Sequence, residues 1–202
     1  WMKIVVLGNE AAFKELSSYQ NKIDWVWLQT ADEIFDNAEA DAFFILDENI
    51  NHEIYTEIKS PVFINSVVEP ISKNKNFFRI NGWKGFLEKE TWEIAGSISE
   101  KAEIVLNTLN KKFIITADEP GFISARIIAM IINEAYFAKG DGVSTASEID
   151  VAMKLGTNYP LGPFEWGEKI GLENIYKLLV KLAEADKKYT PAPLLAQIIK
   201  AP

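Results

Sequence analysis

The stretch MKIVVLGNEAAFKEL, residues 2–16, decides how the first half of the chain is read. Apart from Lys3, residues 2–7 are an apolar run that ends at a glycine, the form of a first strand buried in a parallel sheet. A dinucleotide-binding turn would continue as G-x-G-x-x-G. Its glycines let backbone bend tightly, approach a pyrophosphate and offer it the N-terminus of the next helix. Here Gly8 stands alone, followed by Asn9, Glu10, Ala11, Ala12 and Phe13. The strand fits such a fold and the turn does not: either a cofactor site has decayed or there was none. Trp1, ahead of what reads as an initiator Met2, is treated as foreign and set aside.

Outward from this strand, short apolar runs alternate with amphipathic stretches, the pattern of a parallel sheet covered by helices. Strands are expected at residues 3–7, 24–28, 41–46, 61–67, 76–81, 91–95 and 112–116, and helices at 10–18, 31–37 and 52–59. A further helix is expected over 97–110, with Ser97 and Glu100 as a capping box and Ile98, Ala102, Val105 and Leu109 on one face. After Asp118 the β signals stop. PGFISARIIAMIINEAYFAKG has Pro120 near a helix start and Gly140 just past its end, and in STASEIDVAMKLG Thr145 and Glu148 form a capping box with Gly156 as the stop. Helices over 163–170 and 172–185 and a short one after Pro193 complete the chain. The expected organisation is an α/β domain over 2–118 followed by an all-α domain of about five helices over 119–202.

Composition narrows the function classes. The 202 residues, 48% hydrophobic, suffice for a packed core, and a net charge of −8 with interspersed bases argues against nucleic acid as a partner. The absence of cysteine and the single histidine, His52, exclude thiolate and multi-histidine metal sites. No apolar run approaches the ~20 residues of a membrane span. Without a basic region leading into a hydrophobic core at the N-terminus, a cytoplasmic location is expected. His52 reads as a solvent-facing residue at a helix start. Asp47, Glu48 and Glu53 beside it read as solvated charge, with a loose cation site as the alternative.

The most specific text lies in the helical half. EPGFISARIIAMIINEA, followed by EIDVAMKLGTNYPLGPFEWGEKIGLENI, resembles the C-terminal domain of the 3-hydroxyacyl-CoA dehydrogenases over residues 118–176. Taken alone, Tyr159-Pro160-Leu161-Gly162-Pro163 is only a rigid connector between two helices. The resemblance extends back into the first half, where the chain is shorter than family members. The implied fold is an abridged Rossmann-like domain followed by a helical dimerisation domain of the 3-hydroxyacyl-CoA dehydrogenase type.

What the resemblance implies for the site is a set of losses. NFFRINGWKGFLEKETWEIAG aligns Asn81 with the family's catalytic histidine and Glu93 with its glutamate partner. A carboxamide has no proton equilibrium near neutral pH and cannot serve as the base of hydride transfer. Glu93, without its histidine, reads as structural or surface. Val67 falls at the serine that contacts substrate, with Ser66 beside it, and Ala125 replaces the family's asparagine while the adjacent Arg126 is kept. On the cofactor side Gly8 is vestigial and Gln29 stands where a ribose-binding acid is expected.

No cofactor is therefore expected. The first reading is a non-catalytic relative that keeps the scaffold and a cleft for an acyl-CoA-like or other small molecule. The alternative is an active NAD-dependent oxidoreductase on 3-hydroxyacyl-CoA in fatty acid metabolism. A homodimer through the helical half is expected as well, because Ile127, Ile128, Ile131, Ile132, Leu178, Leu179 and Leu182 are more apolar surface than a domain of that size easily buries by itself.

Overall fold

A computed structural model describes residues 1–18, 22–47, 52–71 and 74–201. The chain divides into two compact units, Trp1–Phe122 and Ile123–Pro202.

The first unit is built on a seven-stranded sheet: β1 (Met2–Leu7), β2 (Ile23–Leu28), β3 (Ala42–Ile45), β4 (Val62–Asn65), β5 (Phe77–Ile80), β6 (Thr91–Ala95) and β7 (Lys112–Thr116), in the order β2-β1-β3-β4-β5-β6-β7. All seven expected strands form, because their alternating apolar residues fill both faces at once. Ile4 and Val6 join Phe44, Phe63, Phe78 and Trp92 on one side, whereas Val5 and Leu7 join Phe43, Ile45 and Ile64 on the other. The sheet is not wholly parallel. β6 runs antiparallel to β5, and β7 is parallel to β6. From β1 the chain steps out to the edge strand β2 and returns to β3 on the other flank of β1. That reversal creates the crevice, beyond the C-terminal ends of β1 and β3, where doubly wound sheets hold ligands.

The helices of this unit depart from the sequence expectation at their ends. α1 (Glu10–Ser17) is as read, but residues 31–37 form a 3-10 helix, and of residues 52–59 only His52–Tyr55 is helical, also 3-10. Turns of 3-10 helix are common in such short connecting segments. α2 spans Glu100–Thr108, and its cap is Ser99, whose Oγ accepts from the Ala102 N–H at 3.3 Å, rather than Ser97. Gly96, at φ +92°, turns the chain ahead of it, so the Ser97–Glu100 capping box does not form. The side chain of His52 and the whole of Glu48 lie outside the described residues, among which no acidic cluster is suited to a metal ion.

The second unit contains α3 (Ser124–Gly140), α4 (Ala146–Thr157), α5 (Pro163–Ile170), α6 (Leu172–Ala185) and α7 (Pro193–Lys200). α3 begins at Ser124, past Pro120, because Gly121 and Phe122 take left-handed backbone (φ +84° and +49°) that no helix accommodates. Gly140 is its last helical residue and not the stop beyond it. α4 has the expected capping box, Thr145 with Glu148, but Gly156 lies inside the helix. The left-handed terminator is Asn158, at φ +56°. Ile128, Ile132, Leu178, Leu179 and Leu182, expected as surplus, are buried within this unit's own packing. Among the described residues no helix is long and apolar enough to cross a membrane.

The motif at residues 150–164 has a mechanical explanation. Asp150, 8% exposed, accepts the N–H of Phe164 at 2.8 Å and so caps α5 from the side. Pro163 takes the first helical position, where no N–H is needed, and Glu165 accepts the Gly162 N–H at 2.8 Å. A Cβ on Gly162 would lie 2.2 Å from Oδ1 of Asp150. Gly162→Ala must therefore expel the capping carboxylate. We expect it to lower the stability of the full chain by about 2 kcal/mol or more in urea unfolding.

Candidate functional site

The residues after β1 depart from the glycines of a dinucleotide-binding turn. Gly8 is the point of closest approach between β1 and β3: a Cβ there would lie 2.9 Å from that of Leu46, whose N–H donates to the Leu7 carbonyl at 2.8 Å. Asn9 caps α1, its Oδ1 accepting the Ala12 N–H at 2.9 Å, so one of the free N–H groups that would face a phosphate is already used. Glu10 follows at the first helical position, with an exposed carboxylate paired to Lys14 Nζ at 2.6 Å. Phe13 stacks on Trp27 at 5.6 Å and meets Trp25 edge-on at 6.2 Å, while Trp27 Nε1 donates to the Gly8 carbonyl at 2.8 Å. Backbone that would have to approach a pyrophosphate is thus capped, negatively charged and tied to β2.

At the end of β2, Gln29 is exposed and offers no carboxylate. An acid is nevertheless present nearby. Glu33 accepts from the Thr30 N–H at 3.1 Å, the Thr30 hydroxyl at 3.0 Å and the Gln29 N–H at 3.3 Å. Those donors, the Thr30 N–H first, hold its carboxyl below the usual range. The contacts are those of a capping residue, committed to the local turn. Relative to a dinucleotide-binding turn, one phosphate-facing N–H group is occupied and the carboxylate near the end of β2 is committed to its own turn.

Asn81 follows the last residue of β5, and Glu93 lies on the neighbouring strand β6. β5 and β6 pair Arg79 with Ala95 and Ile80 with Ile94, and continuing that register by one residue sets Asn81 opposite Glu93. Asn81 is 8% exposed. Its Oδ1 accepts the Trp83 N–H at 3.1 Å, and its Nδ2 is buried without a hydrogen-bond partner among the described residues. This amide can donate a hydrogen bond to a carbonyl oxygen and cannot take a proton from a hydroxyl. Val67 is fully buried, and its carbonyl accepts the Gly121 N–H at 2.8 Å, while the Ser66 hydroxyl is spent on the Glu69 carbonyl at 2.6 Å. Ala125 lies buried on α3 in the second unit, followed by Arg126, whose guanidinium is 5.9 Å from the Tyr189 ring.

Three residues of this region were not legible as site residues. Asn65, 5% exposed, donates to the Leu46 carbonyl at 3.1 Å and accepts the Gly82 N–H at 2.8 Å, joining the ends of β3, β4 and β5. Glu15 of α1 accepts N–H groups of Gly85 and Leu87 at 2.8 and 3.0 Å and fixes the loop that follows Asn81. Arg79, 1% exposed, has the same side-chain parity on β5 as Asn81. Its Nε pairs with Asp118 Oδ1 at 2.9 Å, Nη1 donates to the Ser66 and Glu69 carbonyls at 3.3 Å each, and Nη2 donates to the Glu119 carbonyl. Its guanidinium also covers the Phe122 ring at 4.4 Å. Burial draws its pKa down while Asp118 and Glu69 oppose the shift. An arginine in the middle of an apolar strand was the one signal in the sequence that marked it.

Fold and site together define a doubly wound α/β unit joined to a helical unit, in the manner of two-domain dehydrogenases. Residues 121–202 match the family description "3-hydroxyacyl-CoA dehydrogenase, C-terminal domain". The 3-hydroxybutyryl-CoA dehydrogenase of Clostridioides difficile is 30% identical over 212 aligned positions, covering 100% of this chain and 75% of that protein. The 3-hydroxyadipyl-CoA dehydrogenase of Escherichia coli K12 is 42% identical over 103, or 50% of this chain and 22% of that protein. Among solved structures, FadB2 of M. tuberculosis superposes with a TM-score of 0.79 at 15% identity, covering 98% of this chain and 93% of the other. The (S)-3-hydroxybutyryl-CoA dehydrogenase PaaH1 of Ralstonia eutropha gives 0.74 at 18% identity, again covering 98% and 93%. This chain belongs to the 3-hydroxyacyl-CoA dehydrogenase family.

Proposed function

We propose that the chain is a member of that family which keeps the scaffold without the dehydrogenase reaction. The observation that carries this reading is Asn81, a buried amide opposite Glu93 where the family resemblance calls for a histidine base. Oxidation of a 3-hydroxyacyl thioester needs a group that accepts the hydroxyl proton as hydride departs, and an amide cannot fill that role. The turn at Gly8–Phe13 supports the same conclusion, since a hydride acceptor must be seated before a base has anything to assist. The second reading, an NAD-dependent oxidoreductase on 3-hydroxyacyl-CoA, is favoured by the full-length similarity to the C. difficile enzyme. A cytoplasmic protein with an acyl-CoA-like ligand is part of the proposal, and acetoacetyl-CoA is accordingly the probe.

The test is an absorbance assay with NADH and acetoacetyl-CoA on the parent chain and on Asn81→His, with an active family member as control. We expect no turnover above background from either. A general base contributes about 10²–10⁴-fold, but only to reactants already positioned against each other. Robust turnover by the parent establishes the second reading instead. Turnover by the variant alone shows that the nucleotide and thioester sites are intact.

We further propose a homodimer through the helical unit. The most exposed apolar residues of this unit are on α4 and beside it: Leu155 is 83% exposed, Val143 74% and Val151 47%, with Ile127 of α3 at 51% and Val180 of α6 at 41%. α4 packs on α5 and α3, yet its only fully buried residue is the capping Asp150, so several of its apolar side chains are left uncovered within its own unit. Light scattering at micromolar concentration is expected to give twice the chain mass, and Leu155→Glu to give one chain mass. A monomeric parent removes the proposal.

A further inference from the structure

Two cavities share Lys75 at the end of β5 remote from Asn81. Lys75 and Asn76 lead into the first residue of that strand, whereas Asn81 follows its last. The inner cavity, about 370 Å³, has the apolar walls Ile71, Phe77 and Ala95, with Arg79, Asp118 and Ser97 as polar lining. The outer one, about 560 Å³, is lined by Lys59, Lys75 and Lys101 with Asn76, Ser99 and Glu100. Both are of the size that small-molecule sites occupy, roughly 300–1,000 Å³.

The charge around them is out of keeping with the rest of the molecule. Four cations, Lys59, Lys75, Arg79 and Lys101, line the pair of cavities against two carboxylates, Glu100 and Asp118, in a chain of net charge −8. Asp118 and Arg79 pair with each other, which leaves three lysines against the carboxylate of Glu100. Lys59, Lys75 and Lys101 have no ion-pair partner among the described residues, although Lys3, Lys14, Lys112, Lys154 and Lys188 on the same chain are all paired. Ammonium groups gathered at one concavity repel one another, and a multiply charged anion relieves that repulsion while the low-dielectric walls focus the field on it. The cavities and the lysines carry this reading. The N-terminus of α2 adds little, because the Ser99 hydroxyl is already spent on its own helix.

We propose that this groove binds a phosphorylated small molecule. Its phosphate group lies among Lys59, Lys75 and Lys101, and its organic part reaches past Lys75 against Phe77 and Ile71. Phosphate is favoured over a single carboxylate because three separate ammonium groups, each a point charge with three donors, suit an anion of charge near −2 with several acceptor oxygens. The site is independent of the Asn81 region and of whether the chain has dehydrogenase activity.

The experiment is calorimetric titration of the full chain with inorganic pyrophosphate at low ionic strength, with citrate as the carboxylate arm. NMR shift mapping on the parent accompanies it. We expect saturable one-to-one binding of pyrophosphate, weaker binding of citrate, and shifts concentrated at Lys59, Lys75 and residues 97–101. Lys75→Glu and Lys101→Glu should each weaken binding about tenfold or more, since each turns an attraction into a like-charge contact, while Lys177→Glu on the second unit should leave it unchanged. The lysines exchanged are exposed, and the shift map on the parent does not depend on any variant folding. No saturable binding, equal losses in all three variants, shifts elsewhere, or tighter binding of citrate would each overturn the assignment.

Discussion

The ends of β1 and β3 come together where position 8 has no side chain. A Cβ there would come within 2.9 Å of the Leu46 Cβ, closer than two such carbons approach, so a side chain would force the two ends apart. β1 is flanked by β2 and β3, and the strand order reverses between those neighbours. The same glycine is where a dinucleotide-binding turn would begin. It keeps its structural duty, while Glu10 and Phe13 stand where the following turn would carry the other glycines or small residues. One glycine is enough to build the sheet, whereas nucleotide binding needs the others.

A similar division explains why the helical half resembles its family more strongly than the α/β half. Asp150, Gly162, Pro163 and Glu165 are bound to one another by a cap, a close approach and a capping box, so no one of them can change without disturbing the rest. None of them needs to touch a substrate to be required. Asn133 does comparable work at the C-terminal end, donating to the Thr190 carbonyl at 3.0 Å and accepting the Ala192 N–H at 2.7 Å. By contrast Asn81, Val67 and Ala125 occupy buried positions that the fold can fill with any side chain of suitable size.

This difference also governs how far the sequence could be read. The strands were legible because residues such as Phe43 and Phe44 or Ile4 and Val5 must fill opposite faces of one sheet, which leaves runs of apolar residues of limited length. Helix ends were less so. Ser97 and Ser99 offer the same capping group, and only the left-handed turn at Gly96 decides between them; Gly156 carries the usual terminator while Asn158 takes the left-handed conformation. Contacts across long separations were not legible at all. Glu15 reaches the N–H groups of residues 85 and 87, and Arg79 reaches Asp118 and Glu119, through tertiary proximity that no local pattern announces. The parallel pattern likewise hid the reversal of β6, because a buried antiparallel strand between covered faces has the same composition as its parallel neighbours.

The central claim, that the family's sheet is kept around a turn that does not seat a nucleotide, is tested most directly by titrating the full chain with NADH and following nicotinamide fluorescence, with an active family member alongside. Loss of the glycine contacts and of a charge-assisted hydrogen bond worth roughly 1.5–3 kcal/mol predicts affinity at least about a hundredfold below that of the active relative. Saturable enhancement at low micromolar NADH, on a chain whose turn still reads Gly8-Asn9-Glu10, would contradict it.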